Sequence, residues 1–260
     1  SFSILDSVSK QPIPFVKVIV EDKGKGTYSN ENGIVKLEGL SNNDVLLINH
    51  VGYNKMSIQV RNIENQKPIL LSQKTYKMDE VIITASKYNE KYVGYSKEKS
   101  NGTWGTAIEG TELCVLVKPK KTNSAFIREI ILRTKNHSNN NPLIRVHLYK
   151  NDKGNPGEEI ILKDNVRRVK NKKHIRFDIK KQYIKLPDNG VFISAEWIGT
   201  YDKVTEFNNV KYYGYKLKFK ARKNKNFQPE VYYRIWGKWK KTHNGASYPL
   251  FGLKIIERKE

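Results

Sequence analysis

Sulfur is scarce in this chain: one cysteine, Cys114, and two methionines occur in 260 residues. A single cysteine excludes a disulfide framework within the chain, cysteine-based zinc sites and Cys-x-x-Cys redox pairs. It sits in the apolar run Leu113-Cys114-Val115-Leu116-Val117, where a buried, inert thiol is expected. No run of 18 apolar residues exists, so no membrane-spanning helix is encoded. The opening Ser1-Phe2-Ser3-Ile4 resembles a strand, with no basic head or apolar leader, and a signal peptide is expected to have been removed. Sustained 3.6-residue periodicity is missing before residue 85, which excludes a helical first segment.

Catalytic signatures are missing as well. Three residues beyond the five histidines stand Tyr53, Asn140, Lys150, Phe177 and Ala246, none of them acidic. The His-x-x-Glu spacing of a zinc carboxypeptidase is therefore not met, and no His-Glu-x-x-His occurs. Gly245-Ala246-Ser247-Tyr248-Pro249 lacks the second glycine of a nucleophile elbow. Gly24-Lys25-Gly26 lies between strands without the helix that a phosphate loop needs. EF-hand spacing is absent. Glu196, Asp202, Glu206 and Glu230 are carboxylates of the kind glycosidases pair, but Glu196 lies mid-strand, where a solvent-facing position is expected. The expectation is a protein without catalytic residues, metal or cofactor.

What is present is charge and β pattern. The net charge is +22, distributed unevenly: residues 1–85 hold 10 basic and 9 acidic side chains, and residues 86–260 hold 38 and 17. This asymmetry divides the chain into two units, the second of which should attract polyanions. A lysine- and asparagine-rich composition that merely solvates the surface is the competing account. Residues 14–20 and 45–51 are apolar and β-branched, with Ile69-Leu70-Leu71 and Val81-Ile82-Ile83 after them, and Asn32-Gly33 is a strong turn signal. Further on, Ile144, Val146 and Leu148 alternate with Arg145 and His147, and residues 191–198 alternate likewise. Strict alternation predicts strands with one buried and one wet face. The expectation is all-β: a small sandwich over 1–85, a linker over 86–103, and a larger antiparallel sandwich of jelly-roll type over 104–260. A short helix near 86–93 or 201–209 is also compatible with the pattern.

Four motifs in order carry a family resemblance in the first third. They are Asp6-Ser7-Val8-Ser9-Lys10-Gln11-Pro12 before the strand through Val18, Gly26-Thr27 running to Asn32-Gly33-Ile34-Val35, Leu46 to Gly52-Tyr53, and Met78-Asp79-Glu80-Val81-Ile82-Ile83. Together they resemble the carboxypeptidase regulatory-like domain of Bacteroidetes envelope proteins, the module that precedes the plug in many TonB-dependent receptors. The resemblance implies a transthyretin-like sandwich of about seven strands, a location in the periplasm or at the outer-membrane surface of a Gram-negative cell, and no catalysis. Only 175 residues follow Ala85, too few for a plug and a 22-stranded barrel.

Binding is then the expected role of the second unit. Residues 197–239 hold 12 aromatics with lysines interleaved, many of them core. Trp236 and Trp239 flank Gly237-Lys238 in an expected hairpin turn, with Lys240 beside it. A tryptophan exposed there could stack on a sugar or base. The densest basic run is Arg167-Arg168-Val169-Lys170-Asn171-Lys172-Lys173. Ligand-binding residues are therefore expected at Trp236, Trp239, Lys238, Lys240, Arg167, Arg168, Lys172 and Lys173. A glycan or anionic envelope polymer is the expected ligand. The alternative is a scaffold for an outer-membrane protein or secretion machinery, and a nucleic-acid partner rests on charge alone.

Overall fold

A computed structural model describes residues 1–64, 66–75, 88–106, 108–120, 124–135, 142–169, 173–199, 204–207, 210–213, 217–224, 226–242 and 247–259. Val81, Ile82, Ile83, Lys170 and Lys172, singled out above, lie outside these residues. The chain is all-β, with no α-helix among the described residues. Among the described residues no helix is long and apolar enough to cross a membrane. Contacts divide it into two compact units: Ser1–Met78 with Leu162–Asp164 and Ile235–Lys238, and the remainder.

The first unit has seven strands among the described residues: β1 (Phe2–Asp6), β2 (Lys17–Val20), β3 (Lys25–Tyr28), β4 (Ile34–Val35), β5 (Val45–Asn49), β6 (Met56–Gln59) and β7 (Ile69–Leu71). They form a three-stranded sheet, β4-β1-β7, and a four-stranded sheet, β3-β2-β5-β6. Alternation places Ile4, Val16, Val18, Val20, Leu46, Ile48 and Leu71 in one core, the β-branched residues suiting a pleated, half-buried surface. Gly33 has a φ of 71°, and a Cβ there would come within 2.6 Å of the Ile4 carbonyl oxygen, so this turn requires glycine. The motifs that lie apart in sequence meet at Asp6. Its buried carboxylate accepts from the backbone N–H of Val8 (2.9 Å) and Ser9 (2.8 Å), the Tyr53 hydroxyl (2.9 Å) and Gln73 Nε2 (2.6 Å). These donors, Gln73 foremost, hold its pKa far below the usual carboxylate range.

The second unit contains β8 (Tyr88–Gly94), β9 (Gly102–Thr106), β10 (Thr111–Val117), β11 (Ala125–Lys135), β12 (Leu143–Asp152), β13 (Asn155–Glu159), β14 (Val166–Arg168), β15 (His174–Asp178), β16 (Val191–Gly199), β17 (Val204–Phe207), β18 (Val210–Tyr213), β19 (Leu217–Lys223), β20 (Val231–Ile235), β21 (Lys240–Lys241), β22 (Ser247–Pro249) and β23 (Phe251–Arg258). One seven-stranded sheet runs β13-β12-β16-β10-β20-β21, with β14 also on β12. The other runs β22-β19-β11-β23-β8, with β15 on β11 and β9 on β19. The buried faces supply Val115, Val146, Leu148, Ile193 and Trp197 from the first, and Ile127, Ile130, Phe251 and Leu253 from the second. The Tyr95 hydroxyl reaches from the end of β8 to the Leu116 carbonyl at 2.9 Å, tying the sheets together.

Three expectations change. The stretch 86–103, read as a linker, carries β8, which pairs with β23 over seven residues from Tyr88↔Arg258 to Gly252↔Gly94. Its polar residues suit an edge strand, whose outer side faces solvent. Neither 86–93 nor 201–209 is helical where described: β8 occupies the one, and β17, paired with β18, the other. The alternation in β12 and β16 does not mark a wet face, because Arg145, His147, Ser194 and Glu196 are all buried.

Candidate functional site

The register of the first large sheet builds a charged layer on one face. Arg145 of β12 stands opposite Glu196 of β16, which stands opposite Glu112 of β10; the next row on that face is His147, Ser194, Cys114. Two glutamates directly opposite would repel. Cations on either side resolve this. Arg145 Nη1 lies 3.4 Å from Glu196 Oε2, and Arg234 Nε of β20 donates to Glu112 Oε2 at 2.6 Å. His147 joins the layer to β13, with Nε2 at 3.1 Å from Glu196 Oε2 and Nδ1 at 2.5 Å from Glu159 Oε1. Ser194 Oγ (2.5 Å) and the Tyr149 hydroxyl (2.7 Å) both donate to Glu112 Oε1. Burial by itself would lower the His147 pKa, but Glu112 and Glu159 outweigh it and raise the imidazole to about 10. Three carboxylates thus face two guanidiniums and an imidazolium, with no net charge left buried.

Among the described residues, Glu112, His147 and Glu196 also form a group that could hold a metal, with donor atoms within 4.8 Å of one another. Here both imidazole nitrogens and both Glu112 oxygens are engaged by protein partners, so guanidinium and imidazolium occupy the role a cation would take. Burial keeps the Cys114 thiol in this layer protonated, as the sequence indicated. Burial also pushes Glu109, before β10, up to about 7.

The expected binding residues are dispersed. β20 and β21 do form the hairpin around Gly237, but Trp236 is only 7% exposed, so its face is withdrawn from solvent. Trp236 itself belongs to the first compact unit, 5.0 Å from the Tyr28 ring, where Gly26 has no side chain to obstruct it. Trp239 is half-buried, edge-on to Tyr149 at 5.6 Å, with the Arg234 guanidinium 4.2 Å from its ring centre. Lys238, Lys240, Arg167, Arg168 and Lys173 are exposed. Arg167 and Arg168 lie on β14 and the hairpin ends on β21, at opposite edges of one sheet, while Lys173 adjoins β15 of the other. Five strand spacings separate β14 from β21, roughly 24 Å at 4.8 Å each. The structure does not gather these residues into one site.

Concavity lies elsewhere. A cleft of about 790 Å³ is lined by Tyr92 and Tyr95 at the end of β8, Lys118 and Lys120 after β10, and Phe227 and Glu230 before β20. Phe227 is 47% and Tyr92 40% exposed. Phe227 leans on Tyr95 (6.0 Å) and Tyr248 (6.1 Å), and Lys97 Nζ sits 3.7 Å from the Tyr92 ring centre. Each carboxylate of the cleft is engaged: Glu98 by Arg222 at 3.0 Å, Glu230 by Lys241 at 2.5 Å, and Glu257 by Lys91. A smaller apolar cavity of about 260 Å³ is walled by Trp104, Leu113, Trp197, Phe219 and Tyr233. The cleft escaped sequence reading because its residues come from four segments, at β8, after β10, before β20 and on β23, that only the fold brings together. The signals in the sequence are Tyr92 and Tyr95, in the stretch expected to be linker, and Phe227, among the 12 aromatics of residues 197–239.

Comparison with known proteins agrees with the motif reading of the first unit. Residues 3–83 match the family described as the CarboxypepD_reg-like domain. No curated protein matches the sequence. Among solved structures, the cysteine protease and lectin-like domains of Cwp84, a surface layer associated protein of Clostridium difficile, align with 11% identity and a TM-score of 0.45. That alignment covers 95% of this chain and 58% of the other. Clostridial Cwp84 after propeptide cleavage aligns at 11% identity and a TM-score of 0.44, over 95% of this chain and 66% of the other. The chain thus spans less than two thirds of the length of either.

Proposed function

We propose that this chain is a non-enzymatic binding protein of the Gram-negative cell envelope, whose second unit holds a glycan in the cleft between the end of β8 and the segment before β20. The observation that carries the reading is the pairing of exposed rings with concavity: Tyr92 and Phe227 are displayed at a cleft of about 790 Å³ rather than spent in the core. Ligand sites combine apolar surface with a few placed polar groups, and lysines and carboxylates surround these rings. A flat ring with a polar rim matches a sugar, which is apolar on its faces and hydroxylated at its edge. Hydrolysis would require a free acid and a free base, whereas the cleft's three carboxylates are each engaged by a cation. The envelope setting is proposed from the resemblance of the first third, whose residues 3–83 match the CarboxypepD_reg-like family.

A glycan array probed with the full chain tests this. Hits are expected, and Phe227→Ala and Tyr92→Ala should weaken them at least tenfold with the fold intact by circular dichroism. Hits that survive both substitutions would remove the cleft from the proposal. Release of reducing sugar from the same glycans would remove its non-enzymatic part.

A further inference from the structure

Two backbone irregularities converge on one basic recess of the second unit, which shares no lining residue with the cleft. The first is in β11: its pairing with β23 runs Ile127↔Ile255 and then Glu129↔Lys254, which leaves Arg128 as the extra residue of a β-bulge. Bulges re-aim side chains. The second is Tyr183, which ends the 3₁₀ turn Lys180–Gln182 in the left-handed region, with φ 49° and ψ 36°. Glycine or asparagine is usual at such a position. Here the sequence places a tyrosine between buried Gln182 and Ile184 and leaves its ring 44% exposed. The turn is held by Ile179 N–H on the Arg128 carbonyl (2.9 Å) and Ile127 N–H on the Ile184 carbonyl (2.8 Å), so bulge and turn form one rigid piece.

Arg128, Lys180, Lys181, Tyr183, Tyr88 and Glu90 line a recess of about 620 Å³. Three cations therefore face one carboxylate. That carboxylate, Glu90, is paired to Lys254 at 2.8 Å, and Lys180 is paired to Asp178 at 3.1 Å. A recess this large suits a ligand of several rings rather than a bare ion. We propose that the bulge at Arg128 and the left-handed Tyr183 form an acidic-saccharide site, with Arg128 and Lys181 holding the anionic group and the Tyr183 ring covering a sugar face. Arg128 offers the planar fork that pairs with carboxylate, sulfate or phosphate. The site is separate from the cleft of the proposed function and stands or falls without it.

The test uses the full chain, titrated calorimetrically with a heparin tetrasaccharide and an oligogalacturonate, with inorganic phosphate and an oligothymidylate as comparison probes. Both acidic oligosaccharides should bind and phosphate should not compete. Arg128→Gln with Lys181→Gln should weaken binding at least tenfold. Lys238→Gln with Lys240→Gln removes the same charge from the hairpin turn and should change it less than threefold. Tyr183→Gly relieves the left-handed backbone, so it should keep or raise the melting temperature while weakening binding at least fivefold even in 0.5 M salt. Equal losses from the two charge pairs would overturn the site in favour of diffuse attraction. Undiminished binding by Tyr183→Gly would overturn the ring's role. Oligothymidylate binding of equal strength, lost in the same variants, would overturn the saccharide assignment in favour of nucleic acid.

Discussion

Two buried ionisable residues respond to pH in opposite directions. Asp6 has its folded pKa depressed by Gln73, Ser9, Val8 and Tyr53. Its contribution is therefore present above the unfolded value of about 3.9 and is lost as pH falls below it. The melting-temperature gap between wild type and Asp6→Asn should be wide at neutral pH and shrink below about pH 4. A constant gap down that range would show that the carboxylate charge is not what those donors recognise. His147 is the reverse case. Its folded pKa of about 10 stands above the unfolded value of about 6.5. The contribution is complete below about 6.5 and is lost as pH rises through about 10. Removing one partner of such a buried layer should cost about 3–5 kcal/mol, because Glu159 and Glu196 lose their common counter-charge. Denaturant titration of His147→Gln should show that cost at pH 6, with the difference from wild type narrowing towards pH 10.

At the scale of the element, β8 and β23 pair closely because both carry glycine at one register position. Gly94 and Gly252 stand opposite each other. A Cβ on Gly94 would meet Gly252 Cα, the Phe251 carbonyl oxygen and Val117 Cγ1, each at 3.0 Å, and its φ is 91°. A Cβ on Gly252 would meet Ser96 Oγ at 2.5 Å. Gly94→Ala should therefore destabilise by about 1–3 kcal/mol through left-handed strain and crowding together. A denaturation midpoint equal to wild type would show that the strand end shifts without cost. Because seven residues of β8 are paired, limited proteolysis should spare residues 88–94. Early cleavage there would place the opening energy of this edge strand near zero.

For the molecule as a whole, charge asymmetry is the dominant physical feature. The excess of +21 over residues 86–260 makes long-range attraction of polyanions unavoidable at low ionic strength. The full chain should be retained on heparin at 0.1 M salt and released towards 1 M, as the Debye length falls from about 10 Å to about 3 Å. Retention that ignores salt would mean that recognition is not driven by charge. Diffuse attraction supplies neither selectivity nor place; under the two proposals these belong to the rings at the cleft and to the bulge at Arg128.

The sequence by itself determined the all-β class, the division of charge, a small β-sandwich at the start of the chain and the turn at Asn32-Gly33. Each rests on local information: β-branched alternation, a glycine with positive φ, a count of side chains. The motifs around Asp6 and Gly52-Tyr53 were legible for the same reason, although their meeting through the Tyr53 hydroxyl was not. Tertiary structure alone decided which alternating face is wet. In β12 and β16 the polar face is buried, because pairing register places Arg145, Glu196 and Glu112 in one row where their charges cancel. Alternation records that two faces differ, not that one meets water. It also decided that Trp236 is core and that Tyr92 and Phe227, from segments 135 residues apart, line one cleft. Such a site is a property of strand order, and strand order is set by long-range pairings that no local pattern encodes.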